Sequence, residues 1–383
     1  MKKNRRLVGL ILVGALALTS CTQAKNDSST NATVIKTTDG TTIEDKLIQN
    51  LAKNIILPAY QGLSDSAAQL HDQVLLLEKN KTQANLNKAQ DLWKQTRVYW
   101  ESTESFLFGP VESLSIDPMI DTWPLNITDL ESILSQGAPI TAQVIRTSGA
   151  NLKGFHTVEF LLFGNGKATN TKDIAVLTDR EIEYLKATTE ILAEDTLRLT
   201  TAWTTQYDPD VAETPSYISL ILNPNPDSNP AYNSKEAVIM EFLNGMASIA
   251  DEVANGKIAE PLGASAAEAD PTAEESPFSW NSITDFSNNI RSIQMMYTGT
   301  SMKGEPGIGI KHLLQEKDPA LSAQVEAQIE SSIKKIQDIA GPEKTSFGKA
   351  ILENTQRARV SAAQAEVNAL FATLSQKVLP LLK

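Results

Sequence analysis

The chain has 383 residues, with 34 Lys+Arg against 46 Asp+Glu, a formal net charge of −12 and a single cysteine. An acid excess of this size repels nucleic acid and anionic lipid, so neither is expected as a partner, while cations are attracted. One cysteine permits no disulfide and no thiolate cage, which leaves oxygen and imidazole as the donors for any metal.

The first residues read as targeting rather than fold. Lys2, Lys3, Arg5 and Arg6 precede an apolar run from Leu7 to Leu18, and Leu18-Thr19-Ser20-Cys21 puts small residues before the cysteine. Such a run is too short to cross a bilayer and has the length of a signal-peptide apolar segment. Small residues followed by Cys resemble a bacterial lipobox. Residues 1–20 are therefore expected to be a lipoprotein signal peptide, with Cys21 the lipidated first residue of the mature chain and its membrane anchor. Thr22 stands where an Asp would favour inner-membrane retention, so the expected place is the outer membrane, facing the periplasm. Residues 21–40, polar and without hydrophobic period, follow as a tether. Taking the leader's four bases from 34 leaves 30 against the same 46 acids, a mature net charge of −16.

Beyond the tether the pattern predicts helix almost throughout. Ile43 to Asn80 places Leu47, Leu51 and Ile55 at helical spacing, with a kink expected at Pro58. Thr82 can cap a second helix running to Phe108, stopped by Gly109-Pro110. Pro110 to Leu125, rich in Trp, Pro and Asp, predicts an irregular site loop. Ser148 to Gly164 and Thr178 to Gln206 continue the helical set. Tyr207 to Asn233, with its repeated prolines, predicts a long connection and a domain boundary. Ser234 to Asn255 is expected to end at Gly256, and the acidic, Ala- and Pro-rich Lys257 to Pro277 reads as a mobile loop. Ser282 to Tyr297 and Ser322 to Val378, broken near Gly341-Pro342, complete the helices. Tyr217 to Leu222 is the one strand candidate. The expected fold is all-α, packed as antiparallel helical bundles over residues 41–206 and 207–383.

Chemistry concentrates at Gly154-Phe155-His156-Thr157-Val158-Glu159. On a helix His156 and Glu159 share one face, close enough to share a proton or a cation. The residues around them from Phe155 to Phe163 are apolar except Thr157, so the pair is predicted to be buried. Burying such groups unpartnered costs roughly 2 kcal/mol or more each, so something must satisfy them. Glu104 stands five residues before Gly109 just as Glu159 stands five before Gly164, an echo that would bring both glutamates into one polar pocket. The three histidines are His71, His156 and His312, and the first and last are expected at the surface. The zinc-peptidase pattern His-Glu-x-x-His is absent, and one imidazole with several carboxylates suits iron or manganese, with calcium accommodated by the same oxygen donors. Trp93, Trp100, Trp123 and Trp280 are expected as packing residues.

Together with Trp100-x-x-x-Glu104-x-Phe106-x-Phe108-Gly109-Pro110, Asp121-x-Trp123-Pro124-Leu125 and Asp285-Phe286-x-Asn288-Asn289-Ile290-Arg291 leading to Tyr297-x-Gly299, the Gly154-x-His156-x-x-Glu159 signature resembles the imelysin family of bacterial exported proteins. These motifs occur in family order across most of the chain after the tether. Phe155 and Thr157 depart from the smaller residues that many members carry around the histidine. The resemblance implies a two-part helical fold, each part a four-helix-bundle variant, with the His/Glu motif lining a pocket at their interface. It also implies two roles, because the family includes both a protein described as an insulin-cleaving metallopeptidase and iron-regulated or iron-uptake proteins. The expected metal ligands are His156, Glu159, Glu104 and Asp121, with Arg291 and Asp285 as further pocket members. Arg291 would orient a carboxylate or hold an anionic part of a ligand.

The function expected is a lipoprotein that binds a metal cation, iron first with zinc and calcium as open alternatives, directly or as a chelate. It would take part in iron uptake with an envelope transport partner. Two alternatives stay open: a metallopeptidase using Glu159 in the same pocket, and a metal-free ligand-binding module. A bare metal site should be narrow and carboxylate-lined, whereas an organic-ligand site should be broader with apolar walls.

Overall fold

Capped amphipathic helices set the skeleton of the computed structural model, which describes residues 41–383 apart from 209, 210 and 212. The expected signal peptide, Cys21 and the tether thus lie outside the described residues. Thr42 and Asp45 form a capping box that starts α1 (Ile43–Asn50). A π-helical stretch, Leu51–Ile56, carries the chain into α2 (Leu57–Lys79). The Thr82 hydroxyl accepts from the Asn85 amide at 3.3 Å and starts α3 (Gln83–Glu101). Next come α4 (Phe155–Phe163) and α5 (Asp179–Thr204), the latter begun by a Thr178/Glu181 capping box. α2 packs between α3 and α5, and α4 lies against both α3 and α5.

The second half contributes α6 (Lys235–Asp251), α7 (Ser282–Thr298), α8 (Pro319–Asp338) and α9 (Asn354–Thr373). α8 packs on α7 and α9, and α6 touches both of those as well. Contacts along its length join this set to the first: α7 lies against α3, and α6 lies against α1 and the 3-10 turn Glu104–Phe106. The described residues form one compact unit, all-helical and without a β-strand. No described helix is long and apolar enough to cross a membrane.

Large aromatics fill the centre. Trp93, Trp100, Trp203, Tyr60, Phe106 and Phe155 are fully buried, and the Trp203 ring stacks on Tyr60 at 5.2 Å. Each such burial stabilises the fold by about 1.5–3 kcal/mol.

Several local expectations need correction. Tyr217–Leu222 is a helix, not a strand: Ile218, Leu220 and Ile221 face inward and Tyr217 meets Trp203 edge-on at 5.0 Å. The helix begun at Thr82 ends at Glu101 rather than Phe108. The chain then turns so that the Tyr60 hydroxyl can donate to the Phe106 carbonyl at 2.8 Å. Gly256 does not end the helix after Ser234. A π-helical stretch, Glu252–Ile258, runs through it because Val253, Ala254, Lys257 and Ile258 are all buried. Lys257 to Pro277 is correspondingly anchored, with Glu274, Glu275 and Ser276 inside the protein. Pro110 to Leu125 contains two short helices, Pro110–Ser113 and Ile116–Ile120. His71 is half-buried and its Nδ1 lies 3.0 Å from the Thr189 hydroxyl.

Candidate functional site

The Gly-x-His-x-x-Glu segment is fixed in place by its glycine. Gly154 has φ +77°, and a Cβ there would lie 2.3 Å from the Ile120 carbonyl oxygen. Only glycine allows the start of α4 to come this close to the end of the Ile116–Ile120 helix. That approach sets His156 beside Asp121, with Nε2 3.1 Å from Asp121 Oδ1, an ionic contact rather than an aligned hydrogen bond. One turn on, Nδ1 is 3.2 Å from Glu159 Oε2. Glu159 is held from the other side. Its Oε1 accepts from the Phe278 amide at 3.0 Å and from the Ser279 amide and hydroxyl, both at 2.7 Å.

α3 supplies the centre. Arg97 is wholly buried and its guanidinium meets four carboxylates from four segments. It pairs with Glu101 one turn along, with Asp121, with Glu275 at 3.1 Å and with Asp285 of α7 at 3.8 Å. Its charged plane also lies over the Phe155 ring, 4.9 Å from the centroid. Trp100 donates its indole N–H to the second oxygen of Asp121 at 2.6 Å. Lys257, delivered by the π-helical stretch, reaches Glu275 at 3.0 Å and Glu104 at 3.4 Å. Asn289 donates to Glu101, and Asn281 to Asp285 at 2.7 Å.

The structure thus gathers five of the six expected site residues, His156, Glu159, Glu104, Asp121 and Asp285, around Arg97. Arg291 is not among them; its guanidinium donates to Asn288 on its own helix at 2.8 Å. Five members are not legible in the sequence: Arg97, Glu101, Lys257, Glu274 and Glu275. The available signal was Arg97 and Glu101 at i, i+4 on a helix otherwise marked by Trp93 and Trp100. Trp123 and Trp280, expected as packing, line a cavity instead.

Electrostatics explain how so many charges stay inside. Glu101, Glu104, Asp121, Glu159, Glu274, Glu275 and Asp285 are buried together with Arg97, Lys257 and His156. Seven carboxylates therefore face three basic groups. Burial disfavours ionised Asp121, but Arg97 and His156 beside it hold its carboxyl well below the usual range. Burial likewise opposes a charged His156, and the contacts with Asp121 and Glu159 outweigh it, raising the imidazole to about 9. His156 is accordingly protonated at neutral pH, and ligating a metal through it requires loss of that proton. The surplus acids go the other way. Burial pushes Glu274 up to about 7 and Asp285 up to about 6, the latter against the pull of Arg97. Glu101 and Glu104 are also raised well above the ordinary glutamate range, chiefly by burial.

A cavity of about 640 Å³ opens beside this cluster. Trp123, Phe160, Phe278 and Trp280 are among its walls, and His156, Glu274 and Glu275 are the cluster members that reach it. Lys349 at the same cavity sits over the Trp280 ring at 3.8 Å. Glu101, Asp121 and Glu275 each bring a carboxylate oxygen within 4.8 Å of the others, a spacing open to one cation. Arg97 and Lys257 are the cations that contact them, and Glu275 Oε2 is buried with no hydrogen-bond partner among the described residues. An all-oxygen donor set with one unpartnered atom suits a hard cation.

An all-helical fold enclosing an acid-rich, ion-paired centre beside a ligand-sized cavity is the class of protein these residues define. Residues 56–374 match the family described as Imelysin, and the chain belongs to the imelysin family. It is 28% identical over 341 residues to iron-regulated protein A of Synechococcus elongatus, covering 89% of this chain and 87% of that one. A solved structure from Parabacteroides distasonis, designated an iron-regulated protein A precursor, superposes with a TM-score of 0.74 at 26% identity, covering 88% of this chain and 95% of the other. An imelysin-like protein from Psychrobacter arcticum gives a TM-score of 0.67 at 14% identity over 89% and 95% of the two chains, which is a likeness of fold.

Proposed function

We propose that this protein is a cell-envelope lipoprotein that binds iron at the acidic cluster and cavity around His156 and Glu275 and takes part in iron uptake. The observation that carries the reading is the charge imbalance of the buried cluster beside the cavity: seven buried carboxylates against three basic groups, with Glu275 Oε2 left unpartnered. A multivalent cation arriving there relieves repulsion that protonation otherwise relieves. The designation of the Synechococcus relative as iron-regulated favours iron as the cation. Anchoring through Cys21 and an outer-membrane, periplasm-facing place belong to the same proposal and rest on the leader pattern.

The cavity refines the form of the cargo. A space of about 640 Å³ with aromatic walls is broader than a bare ion needs and falls in the range of small organic ligands. Iron held in a small organic chelate fits it, the metal toward Glu275 and the chelator against Trp123 and Trp280. The same walls support the metal-free module as a second reading. The metallopeptidase reading needs Glu159 free to act on a water, and both of its oxygens are already engaged.

Calorimetric titration with ferrous iron and with a ferric hydroxycarboxylate chelate, against zinc and calcium, tests the proposal. Iron in one of those forms is expected to bind, and Glu275→Gln to weaken it at least 10-fold. Binding unchanged in Glu275→Gln would remove the site; binding of the iron-free chelator alone would favour the metal-free module.

A further inference from the structure

Arg97 and Lys257 neutralise the same carboxylates in different ways. Arg97 is a planar fork locked by four acids and the Phe155 ring. Lys257 carries a compact point charge on a flexible four-carbon stem. Its Nζ has three carboxylate oxygens around it, Glu275 Oε1 at 3.0 Å, Glu104 Oε1 at 3.4 Å and Glu101 Oε2 at 3.7 Å. That is the surrounding of a small cation. On another side Nζ lies 5.6 Å from the centroid of the Trp123 ring, and Trp123 and Glu275 both line the cavity. The ammonium therefore already lies at the outer reach of an aromatic face next to the cavity while it contacts the carboxylates, and rotation of its own stem can seat it more closely on that face.

We propose that the Lys257 ammonium is a resident stand-in for the cargo cation, holding Glu101, Glu104 and Glu275 together in its absence and moving onto the Trp123 face when a metal cation takes its place. The inference rests on the proposed function, and it adds a selection rule. A divalent or trivalent ion gains attraction to the carboxylates in proportion to its charge, so it can displace a monovalent ammonium where sodium and potassium cannot. Lys257 is then a specificity-determining residue.

Two variants titrated with ferrous iron under anaerobic conditions test this on the purified protein. Lys257→Met removes the competitor and is expected to bind iron at least 10-fold more tightly than the wild type. It should melt at a lower temperature without metal and recover that loss when iron is added. Lys257→Arg keeps the charge in a fork that bridges the carboxylates more firmly, and is expected to bind at least 10-fold more weakly. If Lys257→Met fails to fold, the arginine variant carries the test alone. Wild-type binding with Lys257→Met no tighter, or with Lys257→Arg unchanged, overturns the stand-in and leaves the proposed function in place. No binding of ferrous iron by the wild type or either variant overturns the stand-in, and failure of the ferric chelate to bind as well overturns the proposed function.

Discussion

Arg97→Met isolates what the central guanidinium contributes. Methionine keeps most of the apolar stem and loses the guanidinium that lies over Phe155, so the change is chiefly electrostatic. It leaves Glu101, Asp121, Glu275 and Asp285 with Lys257 and His156 as the remaining bases. Removing one partner of a buried ion pair costs about 3–5 kcal/mol, because the other charge stays buried and unpaired. Set against a typical total of about 5–15 kcal/mol, that is a large share. For about 340 residues the unfolding entropy near the midpoint is on the order of 0.7 kcal/mol/K, so Tm should fall by about 4–7 °C. The sign with pH follows from Asp121. Arg97 depresses its folded pKa, so its stabilisation is present above the unfolded value of about 3.9 and lost as pH falls through the folded one. The deficit of Arg97→Met should therefore be full at pH 7 and shrink only below about pH 4, as at pH 3. Urea unfolding at both pH values measures it. A variant within about 1 kcal/mol of the wild type at pH 7, or a deficit that does not change with pH, would refute the reasoning.

Gly154→Ala should disrupt the entry to α4, since its Cβ would sit 2.3 Å from the Ile120 carbonyl and φ is +77°. A loss of about 2 kcal/mol or more is expected in chemical denaturation, within the range of strained backbone positions. His156 has a folded pKa raised to about 9, so its stabilisation is complete below an unfolded value of about 6.5 and disappears as pH rises through about 9. Urea midpoints from pH 6 to 9.5 should fall across that window in the wild type and lack that component in His156→Gln. Glu274 is raised to about 7 by burial, so its ionisation costs the folded state stability as pH rises from about 4.5 to about 7. Glu274→Gln keeps the acceptor for Ser282, 2.6 Å away, and should be more stable than the wild type by about 1–3 kcal/mol at pH 8 and equal to it near pH 4.5.

How far the sequence carries the reader depends on whether a residue's role is local. His156 and Glu159 could be paired from their spacing alone, because i, i+3 neighbours on a helix meet wherever the helix goes. The reason for Gly154 was not legible: it lies in the backbone of Ile120, a different segment. Arg97, Lys257 and Glu275 were missed for the same reason. Apart from Glu101 for Arg97, none has its partners in its own stretch, and only tertiary packing brings α3, the Glu252–Ile258 stretch and residue 275 together. Long helices with caps, such as α5 behind Thr178/Glu181, were readable from period and punctuation. Tyr217–Leu222 reads as a strand because six residues, with Tyr217, Ile218 and Ile221 among them, carry too little period to separate a short buried helix from a strand. Gly256 reads as a stop, but burial of Val253, Ala254, Lys257 and Ile258 drives the helix through it. The boundary of what could be read is thus the boundary between neighbour-in-sequence and neighbour-in-space.

The most direct test of the central claim is the metal content of the protein isolated from iron-replete cells without a metal-binding tag, wild type and Glu275→Gln side by side. The account predicts stoichiometric iron in the wild type and its loss in the variant, with both proteins folded. Wild-type protein without iron, or iron retained equally by Glu275→Gln, would contradict it.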